Sequence, residues 1–267
     1  MSSSNDNNLA LFCDFENIAL GVRDEKNTVF DINWVLERLL VKGSIVVKKA
    51  YCDWGRYKEF KATMHEAAFE LIDIPHVRQS GKNSADIRMV VDALDLCYTK
   101  SHVNTFVIIS GDSDFSPLVS KLRENAKFVI GVGVKNSTSD LLIKNCDDFI
   151  FYDDIARQQT QKKTPKSSKS PTKKRRTTKS KPKDEKQDGI DQALEVAAAL
   201  NAERGDQDKL WGSMVKQALK RVNPSFNEGY YGFESFSKLL EEAQARGQLD
   251  LELDERSGGY IIRKVVR

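Results

Sequence analysis

The chain has 267 residues, of which 40% are hydrophobic and 30% charged, and it carries a net charge of +3 with a mean hydropathy of −0.50. Such a chain is long enough for one large domain or two modest ones. No apolar stretch approaches the roughly 18 residues needed to span a bilayer, and the start of the sequence lacks the basic and apolar regions of a secretion signal, so we exclude a membrane protein and expect a cytoplasmic one.

Strand and helix patterns alternate over residues 1–156. Short runs rich in Val, Ile, Leu and Phe predict strands at Leu9–Cys13, Ser44–Tyr51, Glu70–Ile74, Asn104–Ser110, Phe128–Val134 and Phe149–Tyr152. Amphipathic stretches between them predict helices at Ile32–Val41, Tyr57–Phe69, Ser84–Tyr98, Phe115–Asn125 and Ser139–Asn145. This alternation is typical of an α/β fold in which a doubly wound parallel sheet carries helices on both faces.

Two of the predicted strands end in carboxylates. The first strand passes directly into Asp14, with Asn17 three residues later, and the fourth passes through VNTFVIISGDSDF (103–115) into Asp112 and Asp114. In a doubly wound sheet the first and fourth strands can lie side by side where the strand order reverses, and ligands bind beyond the carboxyl ends of the strands at that point. Asp14 and Asp112 would then face one crevice, where their charges repel unless a cation or a proton intervenes.

A third acidic position opens the predicted helix after the third strand. Asp86 lies in its first turn, where the helix dipole favours a carboxylate, and simple helix capping is the alternative interpretation. Together with Asp14, Asp112 and Asp114 it forms a set of hard oxygen ligands that suits Mg²⁺ or Mn²⁺ better than zinc. Asn17 would orient a water or a ligand, or would only form a turn. The pattern therefore predicts a divalent metal site at one edge of the sheet.

The basic residues are concentrated in one segment. Between Arg157 and Lys186 there are 13 basic and two acidic residues, which leaves 29 basic and 37 acidic residues elsewhere, a net charge of −8. Residues 157–189 contain almost no apolar side chains, so we predict a disordered linker there. Its cations, above all Lys173, Lys174, Arg175 and Arg176, are expected to attract an RNA phosphate backbone without sequence preference. A solvated spacer and a nuclear localisation signal are the alternatives.

The remaining residues, 190–267, predict a smaller second domain. Amphipathic helices are predicted at Gln192–Glu203, Leu210–Val222 and Phe233–Arg246, and strands at Leu249–Leu253 and Tyr260–Val265. The intervening Ser-Gly-Gly sequence at 257–259 is a turn signal. Three helices followed by a β-hairpin predict a winged-helix domain.

The first domain resembles the NYN family of PIN-like nucleases, also described as the LabA-like group. The motifs that carry the resemblance are FCDFENI (12–18), KNSADIRMVVDAL (82–94), ISGDSDFSPLV (109–119) and TSDLLIKNCDDFIFYDDI (138–155). The resemblance implies a PIN-like, Rossmann-like fold and a metal-dependent ribonuclease with an acidic pocket. By matching position it implies the carboxylates Asp14, Asp86, Asp112 and Asp114, the accompanying polar residue Asn17, and the substrate-phosphate contacts Ser110 and Ser139.

The second domain resembles the OST-HTH, or LOTUS, domain over residues 210–263. The resemblance is carried by VNPSFNEGYYGFESFSKLLEEA (222–243) and GGYIIR (258–263). It implies a winged helix that binds RNA or a protein partner and that commonly accompanies a NYN domain.

The sequence thus leads to the hypothesis of an RNA endonuclease whose catalytic domain is tethered by a cationic linker to an RNA-binding domain. One alternative is a phosphatase of the haloacid dehalogenase type, in which Asp14 attacks phosphate; against it, Glu16 stands where that family usually has a second Asp. The other alternative is a non-catalytic RNA-binding adaptor with a vestigial acidic pocket.

Overall fold

The computed structural model describes residues 7–24, 30–75, 84–163, 185–204, 209–255 and 257–265. The chain divides into two compact units, Met1–Thr164 and Pro165–Arg267. Within the described ranges, no helix combines the length and the apolar character needed to cross a membrane.

A parallel sheet forms the centre of the first unit. Its strands are β1 (Asn8–Asp14), β2 (Ser44–Cys52), β3 (Glu70–Asp73), β4 (Thr105–Ile109), β5 (Phe128–Gly133) and β6 (Asp148–Phe151). Its helices are α1 (Phe15–Asp24), α2 (Ile32–Leu40), α3 (Lys61–Glu66), α4 (Ser84–Thr99), α5 (Ser116–Glu124), α6 (Asp140–Asn145) and α7 (Tyr152–Lys163). The strand order is β3-β2-β1-β4-β5-β6, and each neighbouring pair is parallel. The predicted α/β fold with a doubly wound parallel sheet is confirmed.

The sheet is covered on both faces, which explains the continuous apolar runs of its central strands. Alternate residues of β1 enter different cores: Leu9, Leu11 and Cys13 pack with residues of α1, α2 and α7, whereas Ala10 and Phe12 pack with residues of α4, α5 and α6. All five residues of β4 are buried. This double burial holds the carboxyl ends of β1 and β4 in fixed positions beside each other.

Helix α1 has no counterpart in the sequence prediction. It begins at Phe15, directly after the last residue of β1, with no Gly, Pro or Ser between the two elements. The carboxylate of Asp14 replaces a separate cap, because Asp14 Oδ1 accepts a hydrogen bond of 3.4 Å from the backbone N–H of Asn17. One acidic side chain therefore ends the strand and begins the helix.

Helices extend into both ends of the segment predicted as a disordered linker. Helix α7 continues to Lys163, and the next helix begins at Glu185. Lys, Arg, Gln and Glu have good helix propensity, and α7 is anchored by the buried side chains of Ile155 and Ala156. Residues 164–184, with Lys173, Lys174, Arg175 and Arg176, lie outside the described residues, so their predicted disorder and RNA contacts stay predictions.

The second unit contains three helices and a small antiparallel sheet in its described part. The helices are α8 (Glu185–Arg204), α9 (Gly212–Val222) and α10 (Phe236–Ala245), and the strands are β7 (Leu210–Trp211), β8 (Leu249–Leu253) and β9 (Tyr260–Val265). The strand order is β7-β9-β8. The buried ring of Phe226 stacks on Tyr231 at 5.3 Å and meets Phe236 edge-on at 6.4 Å. The unit therefore has an aromatic core of its own.

Candidate active site

The connection order of the sheet reverses between β1 and β4. These strands pair with Cys13 opposite Ile109, so Asp14 and Ser110 leave the sheet side by side. Ser110 Oγ donates a hydrogen bond of 2.9 Å to Asp14 Oδ2. The predicted juxtaposition of the first and fourth strands is confirmed, and the Asp14 carboxylate, 8% exposed, lies at the point where open α/β sheets bind ligands.

A set of short hydrogen bonds fixes the loop after β4 to the start of α1. Asn17 Oδ1 accepts from the backbone N–H of Gly111 at 2.8 Å, and Ser110 Oγ accepts from the N–H of Asp112 at 3.2 Å. Asn17 therefore joins the two elements that carry Asp14 and Asp112. The buried Ser110 hydroxyl is already engaged on both sides, and its contact with a substrate phosphate stays a prediction.

The loop after β5 closes over Gly111. A Cβ at Gly111 would lie 2.7 Å from the carbonyl oxygen of Ser137, so a larger residue would displace the backbone here. Ser139 donates its backbone N–H to Gly111 O at 2.9 Å, and its hydroxyl caps α6 by accepting from Leu141 N. Ser139 thus lies beside the acidic loop, and its role toward phosphate also stays a prediction.

The remaining three carboxylates are carried by two other elements, the loop after β4 and helix α4. Asp112 accepts the backbone N–H of Asp114 at 2.9 Å and begins the turn that leads into α5. Asp86 occupies the first turn of α4 and is partly buried. The structure therefore places Asp14, Asp86, Asp112 and Asp114 at one edge of the sheet, on three separate elements.

The electrostatics of this acidic pocket, defined as Asp14, Asp86, Asp112 and Asp114, show uncompensated charge. The pKa of Asp14 is raised to about 7, first by burial and then by the charges of Asp86 and Asp112, while the hydrogen bonds from Ser110 and Asn17 act in the opposite direction. Burial also raises the pKa of Asp86 to about 6, with contributions from Asp112, Asp114 and Glu16. The four carboxylates therefore lie within electrostatic range of one another.

The donor set fits a hard divalent cation in chemistry, whereas the side-chain positions do not yet form a coordination sphere. Carboxylate oxygens are the preferred ligands of Mg²⁺ and Mn²⁺, and an ion would relieve the repulsion that raises the pKa of Asp14. As the side chains stand, however, no three His, Cys, Asp or Glu residues in the described part of the chain are arranged to hold a metal ion.

Helix α4, which carries Asp86, is held to the sheet by a polar cluster that sequence reasoning did not find. Asp92 accepts a hydrogen bond of 2.9 Å from the buried Tyr51 hydroxyl and pairs with Arg88 at 3.1 Å and Lys49 at 3.6 Å. The charge of Asp92 is thus balanced by two cations, whereas Asp86, six residues earlier, faces other carboxylates. Asp86 and Asp92 are six residues apart and therefore lie on different faces of α4. That Tyr51 is the partner of Asp92 follows only from the order of the strands in the sheet.

A second residue missed from the sequence is Arg56, on the loop after β2. Its guanidinium lies 3.0 Å from Glu16 Oε1, on the first turn of α1. Glu16 belongs to the acidic motif at the end of β1, whereas no local sequence signal marks Arg56.

Comparison with known proteins agrees with this geometry. The NYN domain family matches residues 8–153, a span that contains the whole sheet of the first unit and the four pocket carboxylates. The chain belongs to the NYN domain family. NYN domains fall within the PIN-like nuclease superfamily, so nuclease is the class of activity that the family supports.

Two similar proteins extend the comparison without adding an activity. An uncharacterized protein of Methanocaldococcus jannaschii is 28% identical to the NYN protein over 144 residues, and the match covers 54% of each chain. The chain thus spans about half the length of this curated relative. The crystal structure of a protein of unknown function from Vibrio parahaemolyticus aligns with a TM-score of 0.52 and 26% identity, over 58% of this chain and 99% of that one. The aligned fold therefore makes up almost the whole of the Vibrio chain.

Proposed function

We propose that this NYN protein is a metal-dependent ribonuclease that hydrolyses phosphodiester bonds of RNA at the acidic pocket. The observation that supports this most strongly is the convergence of four carboxylates from β1, α4 and the β4 loop at the switch point of a NYN domain. The raised pKa of Asp14 adds support, because it marks a site where negative charge lacks a counterion.

In this proposal Asp14, Asp86 and Asp112 bind one or two Mg²⁺ or Mn²⁺ ions, and Asp114 binds directly or through water. What the ion supplies when bound is activation of a water molecule and neutralisation of the charge that develops on the phosphate during in-line displacement. The partly exposed Asp86 and Asp112 rotate toward Asp14, whereas the buried Asp14 is held in place by Ser110 and Asn17. In this proposal Asp14 is thus the metal ligand whose position does not change.

Asn17 fixes the loop after β4 to the first turn of α1. Its side-chain oxygen holds Gly111, and its amide nitrogen makes no hydrogen bond to the residues that the structure describes. We assign that N–H group to orienting the attacking water or a phosphate oxygen. Ser110 and Ser139 border the same loop and are the proposed phosphate contacts.

The rest of the chain is proposed to hold the RNA. Lys173, Lys174, Arg175 and Arg176 would attract the phosphate backbone, with affinity that falls as salt rises. The second unit combines three helices with an antiparallel hairpin, which supports its proposed assignment as an OST-HTH/LOTUS winged helix that binds RNA or a protein partner. A cytoplasmic location is part of the same proposal.

One alternative has an observation in its favour. A non-catalytic RNA-binding adaptor would not need metal ligands in place, and within the described ranges no three candidate ligands are arranged around an ion. The haloacid dehalogenase alternative is less well supported, because family membership points to a nuclease.

The test is cleavage of labelled single-stranded and hairpin RNAs by the full chain in Mg²⁺, Mn²⁺ or EDTA. Wild type should cleave only with metal, and Asp112→Asn should lose cleavage while keeping its fold. Asp95→Asn makes the same chemical change at an exposed position of α4 and should cleave like wild type. Binding without cleavage under every metal would favour the adaptor, and a trapped aspartyl-phosphate would favour the phosphatase.

A further inference from the structure

The loop that follows β2 is built against the acidic pocket. Strand β2 lies directly beside β1, with Tyr51 opposite Asp14, so residues 53–57 leave the sheet at the same edge as the pocket. The loop is anchored by Trp54, whose backbone N–H donates to Asp73 Oδ1 at 2.9 Å and whose buried ring lies 5.0 Å from Phe15. The side chains of Arg56 and Tyr57, which follow Trp54 and Gly55, therefore extend from an anchored backbone.

Arg56 places a cation at the rim of the pocket. Its side chain is 50% exposed and pairs with Glu16, two residues after Asp14. Glu16 lies in the first turn of α1, which begins directly after Asp14, so the ion pair holds the guanidinium on the side of the sheet edge where the pocket lies. An ion pair this exposed contributes little stability, so exchanging Glu16 for a phosphate would cost little.

Tyr57 provides an aromatic surface next to this cation. Its half-buried ring meets Phe15 edge-on at 5.6 Å, and the Arg56 guanidinium lies 6.0 Å from the ring centroid. Burial and Glu16 raise the pKa of the Tyr57 hydroxyl, while Arg56 and Arg23 oppose that shift, which brings Arg23 of α1 within electrostatic range as well. Arg23 is exposed and makes no ion pair with the residues that the structure describes.

A cation beside an aromatic ring matches what single-stranded nucleic acid needs. Proteins bind such strands with cations along the backbone and aromatic side chains against the bases. The acidic pocket alone repels a polyanion, so a substrate phosphate next to the scissile one requires a positive partner nearby. A guanidinium is suited to this task because it can donate two parallel hydrogen bonds to one phosphate.

We propose that Arg56 and Tyr57, with Arg23, form a subsite for one nucleotide of single-stranded RNA beside the acidic pocket. Arg56 leaves Glu16 and binds the phosphate, Tyr57 packs against the base, and Arg23 adds positive charge within electrostatic range of Tyr57. The subsite rests on the proposed ribonuclease function and names its substrate as unpaired RNA.

Cleavage kinetics of the full chain on a short single-stranded RNA test the role of Arg56. Arg56→Ala should lower kcat/KM about tenfold, mainly through KM, and should reduce the slope of log affinity against log salt by about one. Arg56→Lys should recover part of the loss, because it restores the charge without the bidentate geometry.

The chain offers a matched control for this charge removal. Arg123, near the end of α5, lies at the opposite edge of the sheet, pairs with Asp147 at the same 3.0 Å and is 46% exposed. Arg123→Ala should leave KM and the salt slope unchanged. An equal effect of Arg56→Ala and Arg123→Ala would reduce the subsite to general charge and would overturn the proposal.

The role of Tyr57 is tested by comparing an aromatic with an aliphatic substitution at this position. Tyr57→Phe should keep the affinity for single-stranded RNA, whereas Tyr57→Leu should weaken it about tenfold, the order expected for one base stacked on an aromatic ring. Both variants should bind duplex RNA equally well, because paired bases cannot reach the ring. Equal single-strand affinity of the two variants would contradict the aromatic subsite.

Failure of the subsite can be separated from failure of the nuclease. RNA affinity is measured by fluorescence anisotropy in the Asp112→Asn background, where no cleavage is expected, with and without Arg56→Ala. If wild type does not cleave but Arg56→Ala weakens binding, the nuclease proposal fails and the subsite stands as an RNA contact. If wild type cleaves and Arg56→Ala changes neither KM nor affinity, the subsite alone is wrong.

Discussion

Removing the charge of Asp14 should stabilise the metal-free protein at neutral pH while it abolishes the proposed cleavage. The pKa of Asp14 rises from 3.8 to about 7 on folding, mainly because the carboxylate is buried near other carboxylates. The folded protein therefore keeps a proton on Asp14 between about pH 4 and pH 7, where the unfolded chain has lost it. The free energy of unfolding falls as pH rises through this window and is level above it.

The size of the effect follows from the shift. A difference of about 3 pKa units at about 1.4 kcal/mol each makes the ionised Asp14 cost roughly 4 kcal/mol of stability above pH 7. Asp14→Asn removes that cost and loses one accepted hydrogen bond, worth about 1 kcal/mol, since Ser110 and Asn17 both donate to the carboxylate. The variant should thus be about 3 kcal/mol more stable at pH 8 and roughly equal to wild type at pH 4.5.

Urea unfolding in EDTA at the two pH values measures this difference. The chain contains three tryptophans, Trp34 and Trp54 in the first unit and Trp211 in the second, so a Trp211→Phe background makes fluorescence report the first unit alone. Asp24→Asn makes the same change at the exposed end of α1 and should have little effect at either pH.

Divalent metal should remove most of this difference in stability at pH 8. Mg²⁺ or Mn²⁺ at a hundredfold excess over its Kd should stabilise wild type by about 2.7 kcal/mol and Asp14→Asn by far less. A gain for Asp14→Asn that is equal at pH 4.5 and pH 8, or no gain at pH 8, would refute the argument that buried, repelling carboxylates strain this pocket.

Three further predictions concern other parts of the chain. Ser110→Ala removes a hydrogen bond that lowers the pKa of Asp14, so the acid limb of the pH profile of kcat/KM should move to higher pH, by up to about one unit; an unchanged limb would contradict this role of Ser110. Tyr51→Phe leaves Asp92 without its buried donor and should lower the free energy of unfolding by about 1 to 2 kcal/mol in urea titrations at neutral pH. Phe226→Ala should destabilise the second unit by about 3 to 5 kcal/mol, seen in Trp211 fluorescence, while the transition of the first unit stays in place.

The elements that the sequence predicts best are those whose side chains repeat with a clear period. Six predicted strands agree with β1–β6 to within two residues at each end, and the two predicted hairpin strands match β8 and β9. Helix α1 escapes this reasoning because a strand passes into a helix without a turn residue. Strand β7 escapes it because two residues have no readable period, and only pairing with β9 makes them a strand.

For the site as well, local features can be predicted from the sequence and contacts between distant residues cannot. The acidic ends of β1 and β4 and the first turn of α4 can be recognised from the sequence, since strand ends and helix starts are local features. The partners of these groups are separated along the chain: Ser110 lies 96 residues from Asp14, Asp92 lies 41 from Tyr51, and Arg56 lies 40 from Glu16. No local pattern couples such positions.

The sequence by itself therefore determined the α/β class, the acidic character of the strand ends and the separation into two folded parts, because each depends on composition and on periods of two or 3.6 residues. Only the tertiary structure decided that Asp14 is buried among other carboxylates, that the charge of Asp92 is balanced by Arg88 and Lys49, and that Arg56 pairs with Glu16. These features depend on strand order and on desolvation, which arise only when distant segments pack together.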